Sequence, residues 1–171
     1  SLKQRQTMKP AMVVLTLTMA ELKRLGLAGA GVDQYFHEKA KQVGKKISGL
    51  ESAESQIETL ANMGKGKEDE LILSTVKELK KTPQFMDEIK KAWRTGNLVD
   101  LEKTGIKKMR DEFPELNQNL LITRNNAWLP KIKAMLVTPE KELVLVGALH
   151  LAGKDGVLAQ LLRQGYKVEQ Y

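Results

Sequence analysis

The stretch Glu142-Leu143-Val144-Leu145-Val146-Gly147-Ala148-Leu149-His150 decides how the fold is read. Its apolar side chains fall on both parities of an extended chain. That is the pattern of a central strand buried on both faces of a parallel sheet. A turn follows over Leu151–Gly156, and then Val157–Gly165 reads as a helix with a glycine stop. The order predicts an α/β fold with His150 at the carboxyl end of a buried strand. In open α/β sheets that edge is where ligands and chemistry collect. Two readings of His150 stay open: a functional imidazole at the edge, or a ring that only satisfies a loop backbone.

Working outward, helices are predicted over residues 8–25, 32–43, 52–63, 68–81, 84–95, 98–112, 114–135 and 155–164. Pro10 and Pro114 suit first turns, and Gly26 and Gly165 suit stops. Val32, Tyr35, Phe36, Ala40 and Val43 share one face of the second helix. Asp33 reads as a cap of that helix. Ser52 reads as the cap of the next, with Glu54 in its first turn. Short strands are expected at Lys46–Leu50, ending at Glu51, and at Tyr166–Glu169. The expected architecture is one domain over 1–171, a mostly parallel sheet with flanking helices and an all-helical insertion at about 66–113. Three strands are few for a sheet whose middle strand is buried on both faces. Strands hide in the apolar N-terminal segment, are missing from this chain, or come from a partner chain.

Composition narrows the function. The chain has 171 residues, 42% of them hydrophobic and 29% charged, which are globular values. Its net charge of +7 is spread over helices interleaved with acids, and only 5% of residues are aromatic. There is no base-stacking platform and no nucleic-acid motif, so a solvated basic surface is expected and no nucleic-acid partner. With no cysteine there are no disulfides, thiolate metal sites or cysteine nucleophile. The apolar run Ala11–Ala20 is too short to span a bilayer. Gly-x-Ser-x-Gly, Gly-x-Gly-x-x-Gly, phosphate-loop and His-Glu-x-x-His patterns are all absent.

Two predicted strand ends present a polar side chain, Glu51 and His150. A carboxylate and an imidazole on one sheet edge make an acid–base pair or half of a metal site; three protein ligands are usual for zinc. The helix after Pro114 carries the stripe Leu121, Asn125, Trp128, Ile132, Met135, with Arg124 beside it. An amide on an apolar face needs partners, or it costs about 1–3 kcal/mol. Asn125 then either ties a neighbouring loop or joins Arg124 at the site. Arg124 there would orient a carboxylate or stabilise a developing oxyanion.

An ordered series of short motifs resembles the TraB/GumN (TraB/PrgY/GumN) family, whose animal relatives include the Tiki proteases. The series runs Lys9-Pro10, Leu25-Gly26-Leu27, Gly31-Val32-Asp33, Gly49-Leu50-Glu51-Ser52, Glu54, Gln56, Trp93, Gly96, Arg124-Asn125 with Trp128, Val146–Leu151 with Gly153, and Gly165–Val168. The resemblance implies an α/β fold whose leading strands are missing from this chain. It implies a metal-dependent hydrolase, a peptidase, with two Gly-x-x-His motifs. Gly147–His150 matches the second, and the first is not in this chain. Glu51, Arg124, Asn125 and His150 become the expected catalytic residues, with Glu51 and His150 as ligands of a divalent metal ion. Asp33 and Glu54 are weaker candidates. The alternative is a non-catalytic module of the cell envelope that binds a peptide or small ligand. Family resemblance places the protein in the periplasm or cell envelope, and an open sheet edge would pair it with a second copy.

Overall fold

The computed structural model describes residues 8–171. The elements are α1 (Pro10–Arg24), α2 (Val32–Gln42), α3 (Ala53–Ala61), α4 (Glu68–Leu79) and α5 (Thr82–Arg94). A helical run then passes through α6 (Leu98–Leu101), a π turn (Glu102–Ile106) and α7 (Lys107–Glu112). A second run passes through α8 (Pro114–Asn117), a π turn (Gln118–Ile122) and α9 (Thr123–Met135). A 3₁₀ turn (Ala148–His150) and α10 (Val157–Arg163) complete the chain.

Local chemistry explains the helix ends. Pro10 and Pro114 sit in first turns, where a missing N–H costs nothing. The Ser52 hydroxyl accepts from the Ser55 N–H at 3.2 Å and starts α3. Asn97 does the same for Asp100 at 3.0 Å and starts α6. Gly165 follows α10 at φ +84°, a left-handed stop that a side chain resists. Asp33 does not cap α2. Gly31 holds the cap position, and Asp33 lies inside the first turn.

Packing makes three apolar contacts. α1 lies on α4, burying Ala11, Val14 and Leu71. Ala92, Leu101, Ile106, Leu121 and Ala152 form a second cluster across α5, α6, both π turns and the turn after His150. Trp128, Leu129, Ile132, Val157 and Leu161 form a third between α9 and α10, with Leu50, Val146 and Val168 laid against it. Gly105 allows Leu149 to close on the first π turn: a Cβ there would meet the leucine at 2.4 Å.

The α/β expectation is overturned. Among the described residues there is no strand and no sheet. Residues 46–50 and 166–169 carry no regular structure, and neither do 141–147. A strand is defined by a ladder to a neighbour, and no neighbour is offered to any of the three. The run expected to be buried on both faces is largely open: Leu143 is 66% exposed and Leu145 37%. His150 therefore ends no strand. It closes the 3₁₀ turn, with its N–H donating to the Gly147 carbonyl at 2.9 Å. Residues 66–113 are helical, but with no flanking strands they continue a helical architecture and interrupt no sheet. The open sheet edge expected to pair two copies is likewise not present among these residues. The shared face of α2 is not buried either, with Val32, Tyr35, Phe36 and Val43 all exposed. No helix among the described residues is long and apolar enough to cross a membrane.

Candidate functional site

Three side chains, Glu51, Trp128 and His150, meet around the Arg124 guanidinium, and Asn125 holds His150 in place. α9 presents Arg124, Asn125 and Trp128, the turn before α3 presents Glu51, and the 3₁₀ turn presents His150. The four expected site residues, Glu51, Arg124, Asn125 and His150, are thus brought together by helices and turns, without a sheet edge. Asp33 and Glu54 are exposed and make no contact with the cluster.

Arg124 is held from several sides. Its Nε and Nη2 donate to the two Glu51 carboxylate oxygens at 3.0 and 2.7 Å, a bidentate fork. Its Nη1 donates to the Leu120 carbonyl at 3.1 Å and lies 3.3 Å from His150 Nε2. The guanidinium also sits 4.8 Å from the centre of the Trp128 ring, in cation–π range. The Arg124–Trp128 spacing of one helical turn produces this last contact.

Hydrogen-bond accounting fixes the histidine tautomer. Asn125 is 1% exposed. Its Nδ2 donates to the His150 carbonyl at 3.3 Å and to the Asp155 carbonyl at 2.9 Å. Both amide protons are then used, so Oδ1, 2.7 Å from His150 Nδ1, must accept. His150 carries its proton on Nδ1 and turns the Nε2 lone pair toward Arg124. The ring is buried against Trp128, with ring centres 4.4 Å apart.

The electrostatics follow. Burial, and then the Arg124 charge, push the His150 pKa from 6.5 down to about 4, against a smaller opposing pull from Glu51. His150 is neutral at pH 7. The Arg124 fork holds the Glu51 carboxyl below the usual 4.5 despite partial burial. The Trp128 indole N–H lies near enough to lower it further, yet it is buried and completes no hydrogen bond.

A divalent ion does not fit this arrangement. The two expected ligands, Glu51 and His150, both face Arg124, whose positive charge stands where an ion bridging them would sit. No group of three His, Cys, Asp or Glu side chains among the described residues could hold a metal. Two participants escaped the sequence reading as site residues. Trp128 stood in the apolar stripe and in the motif series with no role at the site, and the Asp155 carbonyl leaves no sequence signal.

A helical chain that gathers a carboxylate, a guanidinium, a neutral imidazole and a carboxamide onto one helix face has the equipment of a polar site, and comparison with known proteins agrees with the motif series. The TraB/PrgY/gumN family matches residues 1–170, and the chain belongs to that family. It is 32% identical over 156 residues to the uncharacterized protein YbaP of Escherichia coli (strain K12) and, to the same extent, to that of Shigella flexneri. Each match covers 88% of this chain and 55% of the relative, so the chain spans about half the length of these curated relatives. No solved structure matches it.

Proposed function

We propose that this chain contributes the Glu51–Arg124–Asn125–His150 cluster to a hydrolytic site that takes a peptide or protein substrate in the periplasm or cell envelope. The observation that carries this reading is the fixed, neutral imidazole. Asn125 locks the Nδ1–H tautomer, which makes Nε2 the acceptor of the ring; it faces Arg124 Nη1 at rest and takes a proton from an attacking water once that N–H has turned to the substrate. Arg124 beside it supplies positive charge to a negative group on the substrate, whether carried or developing. Glu51 holds the guanidinium in the resting arrangement. A divalent ion remains part of the proposal only if further ligands reach the cluster and Arg124 moves aside. No step is assigned to one.

The second reading is a binding module without turnover. The depth of His150 favours it, because Nε2 is reached only past Arg124. One experiment separates the two. The whole protein and its His150→Gln variant are incubated with a peptide mixture, and products are read by mass spectrometry. Loss of a general base costs about 10²–10⁴-fold in rate. Cleavage by the wild type that falls at least a hundredfold in the variant supports the hydrolase. Equal cleavage by both refutes it, and peptide retention without cleavage by either moves the function to binding. Metal content after chelator-free gel filtration, measured beside His150→Ala, decides whether an ion belongs to the site.

A further inference from the structure

We infer that Arg124 and Trp128 form a receptor for a carboxylate, and that Glu51 fills it as an internal stand-in for the C-terminal carboxylate of a peptide. This rests on the peptide reading above and names the part of the peptide that binds.

Three observations carry it. The first is that Arg124 is preorganised without Glu51. The Leu120 carbonyl, the His150 Nε2 lone pair and the Trp128 ring fix the guanidinium from the protein side, and its Nε–Nη2 edge is left pointing at whatever carboxylate is present. A planar fork held in this way matches a carboxylate in two parallel bonds. The second is that Glu51 arrives from an irregular segment. Residues 45–50 form no helix or strand, and α3 begins only after Ser52. The neighbours of Glu51 are held independently of it, Leu50 by packing on the α9–α10 cluster and by the bond from Lys131 Nζ to its carbonyl at 2.6 Å, and Ser52 by capping α3, so the Glu51 side chain can turn away without moving the backbone. The partner that can leave is therefore Glu51. The third is that Glu51 does not satisfy the receptor. Trp128 is 4% exposed, and its indole N–H, though near enough to Glu51 to lower the carboxyl's pKa, completes no hydrogen bond. A buried donor left unmade costs about 1–3 kcal/mol. A carboxylate entering at a slightly different angle would take the fork and the indole together, since two oxygens offer about four lone-pair sites.

The chemistry selects the ligand. The receptor offers two guanidinium donors and one indole donor, with a neutral ring alongside and, among the described residues, no second cation paired with Glu51. That suits a single negative charge on a planar group. An unliganded receptor is filled by Glu51, so an external carboxylate binds only to the fraction of molecules in which Glu51 has left.

Isothermal titration calorimetry tests this with an N-acetylated dipeptide as the free acid, its C-terminal amide, and acetate. The whole protein is used as wild type, Glu51→Gln, and the doubles Glu51→Gln/Arg124→Lys and Glu51→Gln/Trp128→Phe. Circular dichroism is recorded for each. The free acid is expected to bind Glu51→Gln at least tenfold more tightly than wild type. The amide is expected to bind neither, and both doubles are expected to lose the gain while keeping their helical signal. Acetate is expected to compete weakly with the dipeptide acid. Equal affinity of wild type and Glu51→Gln for the acid overturns the proposal, as does equal binding of acid and amide. Acetate that binds as tightly as the dipeptide acid overturns the peptide terminus as the source. Calorimetry reads binding with or without turnover, so absent cleavage sinks the hydrolase and leaves this result standing.

Discussion

Acidification should cost this protein stability through one buried ring. In the folded state His150 resists protonation down to about pH 4, whereas its ordinary value is 6.5. Below pH 6.5 the unfolded chain takes up a proton that the folded chain refuses, so the unfolded state gains. The loss sets in as pH falls through 6.5 and is complete near pH 4, where the folded ring also charges. Each pH unit between the two values is worth about 1.4 kcal/mol, which puts the full loss at about 3 kcal/mol. Between pH 7 and pH 5 it amounts to about 2 kcal/mol. The charged groups facing the ring do not cancel the effect. Arg124 repels the imidazolium, and Glu51 offsets only part of that because its carboxylate is turned onto the guanidinium. Urea unfolding followed by circular dichroism at pH 7, 6 and 5 measures it, with His150→Gln as the control. A typical slope of about 2 kcal/mol per molar urea converts the loss into a midpoint shift of about 1 M in the wild type. The variant is less stable at pH 7 and should show a much flatter decline. If the wild type and His150→Gln lose stability in parallel over this range, the neutral buried imidazole is wrong, and with it the tautomer derived from Asn125.

Two further substitutions probe the supports of the cluster. Asn125→Ala strands the His150 Nδ1 proton and removes donors from two carbonyls, so a loss of about 3 kcal/mol is expected in urea unfolding; a loss below about 1 kcal/mol would show that water replaces the amide freely. Gly156→Ala places a Cβ 2.5 Å from both the Ala152 and Leu151 carbonyl oxygens, which are backbone atoms and cannot swing away. A drop in thermal midpoint of at least about 2 °C is expected, since roughly 1–3 kcal/mol of overpacking acts on a chain of this size, and an unchanged midpoint would mean that the turn between His150 and α10 yields without cost.

What the sequence discloses here is local, and what it conceals is not. Helix ends are set by a proline, a serine or a glycine acting within a turn of itself, and those signals at Pro10, Ser52, Pro114 and Gly165 coincide with the observed bounds of α1, α3, α8 and α10. The apolar run before His150 needed a fact that no window of nine residues contains, namely whether a second chain segment lies alongside to accept its N–H groups. Apolar side chains on both parities report a preference for burial, and burial depends on partners elsewhere in the chain. Leu143 and Leu145 remain exposed for that reason, while Val146, one residue further, packs on the α9–α10 cluster.

The meeting of Glu51, Arg124, Asn125 and His150 was legible even though the fold was not, because it does not depend on the sheet. Asn125 stands in the middle of an apolar stripe, and a carboxamide placed there must find partners. Its three contacts go to His150 and Asp155, both supplied by the segment that follows the apolar run. Whether that run pairs as a strand or lies as coil, the polar constraint of Asn125 returns the chain to the same face of α9. Arg124, adjacent in sequence and about 100° around the helix, is then left to face Glu51. The spacing on α9 thus sets which of its side chains enter the cluster, and two turns deliver Glu51 and His150 to them.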